Sequence, residues 1–270
     1  MPNIIYCFSG TGNSLWLAKH AARKLGDTEV MSIMTLLNNS EIPAKYERVG
    51  FVYPTCFLHP PKAVREIGAE LKFALHHKAF IIVTCGGGNG FTLSDFRKLI
   101  QPRLKNRVQG FSIPLPGNHL VGFGAWSESR QRKMFDNAQK SLSEAVRDIQ
   151  NNMPTKIKRD LPLGLMTWMS RTFNGRLGVK DIFSTVAEYY TTDSCVRCGK
   201  CEQVCPVGNI KTTDGEVTFG NNCQQCMACI QWCPQRAIAH PNVPADRKRY
   251  HCPDFTIEDM IKLNQSRVGQ

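Results

Sequence analysis

The chain has 270 residues, of which 42% are hydrophobic, and a formal net charge of +12. It is long enough to bury a substantial core and to divide into two domains, which excludes a disordered or fibrous protein. The first residues, MPNIIYCF, lack the basic and apolar regions of a secretory signal, and no window approaches the length of a spanning helix. The sequence therefore predicts a cytoplasmic protein with no membrane span.

Residues 1–152 alternate between strand-like and helix-like segments, a pattern typical of an α/β fold in which helices connect parallel strands. The predicted strands are 4–8, 29–34, 49–53, 79–84 and 110–115. Five strands and the helices between them are sufficient for one doubly wound domain. We therefore expect an α/β domain over residues 1–152.

Apolar residues at helical spacing predict four helices between and after these strands. The first helix ends at Gly26, and the second carries its apolar face from Val64 to Leu75. The third begins at Thr92, with Asp95 at the spacing of a capping box. The fourth carries an apolar stripe over 135–149.

The sequence FSGTGNS, residues 8–14, lies between the first strand and the first helix. It lacks the lysine of the nucleotide-triphosphatase P-loop and the glycine spacing of the dinucleotide fingerprint. Consecutive amides at a helix N-terminus bind anions, and the hydroxyls of Ser9, Thr11 and Ser14 would complete the coordination of a terminal phosphate. The loop favours a monophosphate over a pyrophosphate, and a tight turn with a capping serine is the alternative.

The second half of the chain contains an internal repeat. CVRCGKCEQVCP at 195–206 recurs as CQQCMACIQWCP at 223–234, and a hairpin is expected between the copies at Asp214-Gly215. Residues 153–190 are rich in proline, glycine and positive charge, so we interpret them as a basic linker with helical segments. Residues 191–242 form the repeat domain, and residues 243–270 are a C-terminal tail.

Each copy of the repeat has the spacing C-x₂-C-x₂-C-x₃-C-P, which holds [4Fe–4S] clusters in two-cluster bacterial ferredoxins. The fourth cysteine of each copy ligates the other cluster. Structural zinc is the alternative, but it prefers paired Cys-x₂-Cys knuckles and does not use a third cysteine at the same gap. The predicted metal ligands are Cys195, Cys198, Cys201 and Cys233 for the first cluster, and Cys223, Cys226, Cys229 and Cys205 for the second.

The positive charge does not require a nucleic-acid partner. Two oxidised clusters and a phosphate monoester, each of about −2, would remove roughly 6 positive units. We interpret the remaining excess as a solvated or cofactor-facing surface, with docking of an acidic redox protein as the next alternative.

FSGTGNS is similar to the T/S-x-T-G-x-T/S phosphate loop of flavodoxins, and its combination with the cysteine repeat resembles flavodoxin–ferredoxin fusion proteins. The resemblance implies FMN as a cofactor and a flavodoxin-like sheet of order 2-1-3-4-5, followed by an α+β two-cluster ferredoxin domain. In that fold the ligand lies at the carboxyl ends of strands 1 and 3. The expected FMN-binding residues are Ser9, Gly10, Thr11, Gly12, Asn13, Ser14, Pro54, Thr55, Cys56, Phe57, Cys85, Gly86, Gly87 and Gly88.

The loop after the third strand departs from many flavodoxins, because residues 54–59 contain no glycine. Either Phe57 or His59 would lie against a flavin ring, although Phe57 is equally well explained as a packed core aromatic. His59 is the one obvious acid or base in the two flavin loops.

These features predict an electron-transfer protein that passes electrons between two [4Fe–4S] clusters and FMN. Its partner would be a redox protein that acts as a low-potential electron donor or acceptor. The alternative is a flavin-dependent oxidoreductase that reduces a small-molecule acceptor at FMN, with the clusters as electron input. The scarcity of acid and base groups near the flavin loops favours the carrier.

Overall fold

The computed structural model of the chain describes residues 1–122, 124–155 and 188–265. Its N-terminal part is built on a five-stranded parallel sheet of order β2-β1-β3-β4-β5. The strands are β1 (Asn3–Cys7), β2 (Thr28–Ser32), β3 (Arg48–Pro54), β4 (Lys78–Cys85) and β5 (Gln109–Pro114). This is the flavodoxin-like order 2-1-3-4-5, so the predicted fold class is confirmed.

Four helices cover both faces of this sheet: α1 (Asn13–Leu25), α2 (Lys62–Glu70), α3 (Thr92–Ile100) and α4 (Glu128–Gln150). The apolar faces of α1 and α4 pack together in one core, and those of α2 and α3 pack in the core on the opposite face. Two short 3₁₀ turns, Ile33–Leu36 and Gln101–Arg103, complete the domain. Because both faces are covered, the central strands are continuous apolar runs.

The second helix is shorter than predicted. It ends at Glu70, because Leu71 adopts an extended conformation (φ −57°, ψ 136°) and the amide of Lys72 donates a hydrogen bond to Ser40 at 2.9 Å. Leu75 therefore lies outside the helix and is 83% exposed. The apolar spacing in the sequence continues past Glu70. The helix ends there because the following backbone pairs with residues 40–41.

The predicted capping box at the third helix is wrong. Phe91 is the N-cap residue, and no side chain caps the helix. The carboxylate of Asp95 instead lies 2.7 Å from Nδ1 of His59 in the loop after β3. A hydrogen-bond partner from another loop thus takes the place of the local backbone amide.

The C-terminal part consists of short elements around the cysteine repeat. They are β6 (Tyr190–Thr191), α5 (Lys200–Val204), β7 (Ile210–Thr213), β8 (Glu216–Phe219), α6 (Ala228–Trp232) and β9 (Ile238–Ala239). Strands β6 and β9 pair antiparallel, as do β7 and β8. Asp214 and Gly215 form the turn of the expected hairpin with positive φ at both residues (51° and 77°). The tail ends in α7 (Ile257–Gln265).

The internal repeat is also visible in the backbone. Left-handed residues recur at the repeat offset, in the pairs Arg197 and Gln225, Gly199 and Met227, and Gly208 and Arg236. Each pair lies at the same place relative to the cysteines, so the two copies fold alike. The second copy adopts this geometry without glycine at any of the three positions.

The predicted linker is described only at its two ends. At its start, the Thr155 hydroxyl accepts a hydrogen bond at 2.9 Å from the amide of Gly110 in β5. At its end, Tyr190 pairs with Ala239 within the repeat domain. The helical segments predicted between these ends, in residues 156–187, lie outside the described residues.

The C-terminal part shares a core with the flavodoxin-like domain. Val204, Ala228 and Trp232 belong to the same buried cluster as Leu15 of α1, together with Met260 of α7. The two parts therefore pack as one body on the α1 face of the sheet. Among the described residues, no helix combines the length and apolarity needed to cross a membrane.

Candidate functional site: a phosphate cavity beside two cysteine sets

A cavity lies at the carboxyl ends of four strands of the sheet. Of the expected FMN-binding residues, it is lined by Ser9, Gly10, Thr11, Asn13, Ser14, Pro54, Thr55, Cys85 and Gly86. The other lining residues are Thr84, Leu115, Pro116, Gly117 and Asn118. The cavity therefore lies where a doubly wound sheet of this order binds its ligand.

The loop after β1 presents free amide groups to this cavity. Gly12 is the N-cap of α1 in a left-handed conformation (φ 96°). Within the described residues, the backbone amides of Gly10, Thr11, Asn13 and Ser14 make no hydrogen bond. Unpaired amides at a helix N-terminus form an anion site.

The hydroxyl groups of the loop have different tasks. The Ser9 oxygen accepts hydrogen bonds from the amides of Gly12 and Leu15, at 3.2 and 3.4 Å, so it supports the loop from inside. Thr11 accepts a hydrogen bond from the Asn118 side chain at 2.9 Å. The hydroxyl oxygens of Ser14 and Thr84 lie 3.3 Å apart at the base of the cavity.

These donors suit a phosphate monoester held without a cation. None of the lining residues is acidic or basic. The hydroxyl of Thr55 is buried without a hydrogen-bond partner, which indicates room for an acceptor next to it. A bound phosphate would satisfy this hydroxyl and the four free amides together.

Five of the expected residues, namely Gly12, Cys56, Phe57, Gly87 and Gly88, do not line the cavity. Cys56 and His59 exchange two backbone hydrogen bonds, of 2.8 and 2.9 Å, across a tight turn. Phe57 and Leu58 form this turn with positive φ values of 47° and 67°, which L-residues rarely adopt. The ring of Phe57 packs edge-on against His119, with 5.1 Å between ring centroids.

The loop after β5, residues 115–118, was missed by the sequence analysis. Asn13 donates a hydrogen bond to the Pro116 carbonyl at 2.8 Å, and Asn118 donates one to Thr11. The loop carries no glycine-rich or charged motif. Its position after the fifth strand, at the carboxyl edge of the sheet, was the one available signal.

His59 does not face the cavity. Its ring is buried, Nδ1 lies 2.7 Å from the Asp95 carboxylate, and the ring stacks on Phe91. These contacts hold the loops after β3 and β4 together. The candidate acid or base is thus engaged in packing between the two loops.

The cysteines of the repeat lie around two separate cavities. Cys195, Cys198, Cys201 and Cys233 line one of them. Cys205, Cys223, Cys226 and Cys229 line the other. The structure thus brings together both predicted ligand sets, each with one cysteine from the opposite copy of the repeat.

The arrangement suits iron–sulfur clusters. Each set brings four cysteines to the wall of one cavity, and a [4Fe–4S] cluster is held by four cysteine thiolates. Backbone amides also point at sulfur atoms, with Asn209 3.2 Å from Cys205 Sγ and Ala237 3.3 Å from Cys233 Sγ.

Burial raises the pKa of the Cys226 and Cys229 thiols well above the usual range. Cys198 is the one cysteine of the chain that is classed as exposed. The first cysteine set is accordingly closer to solvent than the second.

The remaining cysteines lie outside both sets. Cys7, Cys85 and Cys252 are buried. Burial and the neighbouring Cys223 raise the pKa of Cys56 to about 12.

The second cysteine set is in direct contact with the phosphate loop. A side chain on Gly10 would overlap the carbonyl oxygen of Cys226, because its Cβ would lie only 3.0 Å from the carbonyl carbon and from Cβ of that residue. The Asn118 side chain also points to the Cys226 carbonyl, at 3.4 Å. On the other side, Gln224 accepts a hydrogen bond at 2.9 Å from the amide of Ala63 at the start of α2.

Two family models described as 4Fe–4S binding domains match the chain, one over residues 188–211 and the other over residues 223–237. They cover the two copies of the repeat. The chain joins a flavodoxin-like domain to two ferredoxin-type segments. The two expected [4Fe–4S] clusters are therefore confirmed, and the architecture is that of an electron-transfer or oxidoreductase protein.

Several solved structures resemble the N-terminal half. An azoreductase from Bacillus anthracis str. Sterne is 11% identical and covers 56% of this chain and 100% of its own, with a TM-score of 0.38. A flavodoxin from Streptococcus pneumonia TIGR4 is 13% identical and covers 54% and 98%, with a TM-score of 0.36. An NAD(P)H:quinone oxidoreductase from Methanothermobacter marburgensis is 11% identical and covers 58% and 100%, also with 0.36.

These identities and TM-scores are too low to carry an argument about cofactor or substrate. No curated protein matches the chain significantly.

Proposed function

We propose that the protein is an electron carrier in which two [4Fe–4S] clusters exchange electrons with FMN and with a redox partner protein. The observation that carries the proposal is the contact between the predicted cluster ligand Cys226 and Gly10 of the phosphate loop. Electron exchange between two centres needs close approach, and here a ligand of one abuts the binding loop of the other. FMN, when bound, supplies two-electron chemistry, whereas each cluster handles single electrons.

The residues that would hold FMN are those of the cavity. The free amides of Gly10, Thr11, Asn13 and Ser14 would bind the phosphate, with Thr55 as an additional donor. The loops after β3 and β4 would hold the rest of the cofactor, with Phe57 and Gly86 to Gly88 as the expected contacts. This assignment keeps the residues of the sequence-based prediction and adds the loop after β5.

The order of the centres follows from exposure. The first cysteine set includes the exposed Cys198, and the second set packs against the flavodoxin-like domain. A redox partner protein would therefore exchange electrons at the first cluster, and the second cluster would connect it to FMN. Val196, which is 61% exposed beside Cys198, offers an apolar contact for such a partner.

The carrier is better supported than an enzyme that reduces a small-molecule acceptor. Reduction of an organic acceptor at the flavin ring is helped by a nearby proton donor, and the two loops expected to hold the ring, 54–59 and 85–90, contain no carboxylic acid or lysine and a single histidine, His59. His59 is held by Asp95 away from the cavity. The chain is then a bridge between a partner protein and a flavin, acting in the cytoplasm.

The test is an anaerobic preparation of the full chain in which iron, sulfide and flavin are quantified on one sample. The account expects two four-iron clusters and one FMN per chain. Partial reduction should then give both cluster signals in electron paramagnetic resonance and bleaching of the flavin absorption. Clusters that hold their electrons while the flavin stays oxidised, at a potential where free FMN is reduced, would refute the carrier.

A further inference from the structure

The phosphate loop is held by residues more than 200 positions away in the sequence. The indole N–H of Trp232 donates a hydrogen bond to the Gly10 carbonyl at 3.0 Å. The amide of Cys252 donates to the Thr11 carbonyl at 2.8 Å. The hydroxyl of Tyr250 donates to the Asn13 side chain at 2.6 Å. Three residues of the loop thus depend on the C-terminal part for their orientation.

Trp232 and Tyr250 are both connected to the iron–sulfur segment, residues 191–242. Trp232 lies on α6 between the predicted ligands Cys229 and Cys233. Its ring stacks on His251 with 4.0 Å between centroids. The amide of Tyr250 donates a hydrogen bond to the Gln231 side chain at 2.7 Å, so the tail follows α6.

The segment that carries Trp232 has little stability of its own. Helix α6 has five residues, too few to persist without tertiary support. It lies between the predicted ligands Cys229 and Cys233, which belong to different cysteine sets. Metal binding to such a segment supplies free energy for its folding.

We propose that cluster assembly completes the FMN site, with Trp232 and Tyr250 as positioning residues of the phosphate loop. This inference rests on the proposed function, because it concerns the same cavity. In the cluster-loaded chain both side chains hold Gly10 and Asn13 so that the neighbouring amides face the cavity. In the cluster-free chain these bonds loosen and the phosphate loop loses its preorganised shape.

The consequence is an energetic coupling between two cofactor sites. FMN binds the cluster-loaded chain more tightly than the cluster-free chain. Couplings between sites are commonly of the order of 5- to 150-fold. Because two or three hydrogen bonds would loosen, we expect the dissociation constant of FMN to be about tenfold higher for the cluster-free chain, which corresponds to about 1.4 kcal/mol. The arrangement would favour flavin loading only in chains that can receive electrons.

The main test compares Trp232→Phe and Tyr250→Phe in the full, cluster-loaded chain. Tyr250→Phe keeps its ring and loses only the hydroxyl donor to the phosphate loop. Trp232→Phe loses the indole N–H and also part of a buried ring, so Tyr250→Phe is the cleaner of the two variants. The matched control is Tyr46→Phe, whose buried hydroxyl donates to Glu29 at 2.8 Å, among residues that do not line the cavity. Iron and sulfide content verifies loading, circular dichroism verifies folding, and FMN dissociation constants come from quenching of flavin fluorescence.

We expect the dissociation constant of FMN to rise about three- to tenfold in Trp232→Phe and in Tyr250→Phe, each the effect of one hydrogen bond, and to stay unchanged in the control. A second arm removes iron from the wild type with a chelator and repeats the titration, with about tenfold weaker binding expected. Loaded variants that bind FMN as tightly as the control would overturn the inference. A loaded wild type that binds no FMN would instead refute the proposed function.

Discussion

Gly10 of the phosphate loop packs directly against the backbone of Cys226, and Gly10→Ala tests this contact. The new Cβ would lie 3.0 Å from the carbonyl carbon and from Cβ of Cys226, and would overlap the carbonyl oxygen. Ordinary van der Waals contacts of a Cβ atom begin at 3.4 Å, so the segment around Cys226 must move away from residue 10. The Trp232 bond to the Gly10 carbonyl would lengthen in the same movement.

Overpacking of this kind costs about 1–3 kcal/mol. For a chain of this size we expect Gly10→Ala to lower the thermal midpoint by several degrees, at about 2–4 °C per kcal/mol. The matched control is Gly122→Ala, where the nearest atom to a new Cβ is 3.4 Å away. Thermal unfolding is followed by circular dichroism on anaerobic, cluster-loaded protein.

The retreat should also weaken FMN binding, because Gly10 supplies one of the free amides of the loop. We expect Gly10→Ala to lose flavin on gel filtration under conditions where the wild type and Gly122→Ala retain it. If Gly10→Ala has the same thermal midpoint as Gly122→Ala and keeps its flavin, the phosphate loop does not contact the second cysteine set. That result would refute the reasoning.

Three further predictions follow from the site and the sheet. Thr11→Ala combined with Ser14→Ala should weaken FMN binding about tenfold or more, because hydrogen bonds to a charged phosphate are lost, and should leave the iron content unchanged. Flavin retention equal to that of the wild type would argue against the phosphate loop. Cys198→Ser should remove the first cluster and leave the signal of the second in electron paramagnetic resonance, and loss of both signals would contradict two separate ligand sets. Lys78, 2.9 Å from Glu47, holds the pKa of that carboxyl below its usual range. Glu47→Gln should therefore cost up to about 1 kcal/mol at neutral pH, and this difference should vanish as the pH falls through the depressed pKa; an equal loss at low pH would contradict the ion pair.

The local features of the fold were predictable from the sequence. The five strands and the hairpin at Asp214-Gly215 were expected within a few residues, because apolar runs and turn residues act over short distances. The spacing of the cysteine repeat predicted two sets that exchange their fourth cysteine, and the structure gathers those same two sets around separate cavities. Glycines and hydroxyl residues at the end of the first strand predicted a phosphate loop there.

Features that depend on distant partners were not predictable. Asp95 has capping-box spacing, but its carboxylate lies 2.7 Å from Nδ1 of His59, and no side chain caps the start of the helix. Tyr250 carries no motif, yet its hydroxyl holds Asn13 across 237 positions. The sequence offers no sign that the tail returns to the first loop, because each such bond joins one side chain to one distant group.

The central claim is that FMN and the clusters exchange electrons within one chain. The most direct measurement is the rate of flavin reduction after a pulse of electrons has been delivered to the clusters of anaerobic, fully loaded protein, followed at several protein concentrations. The account predicts a first-order rate that does not change with protein concentration, because the phosphate loop and the second cysteine set are in contact. A rate that rises in proportion to protein concentration, or a flavin that stays oxidised while the clusters hold the electrons, would contradict it.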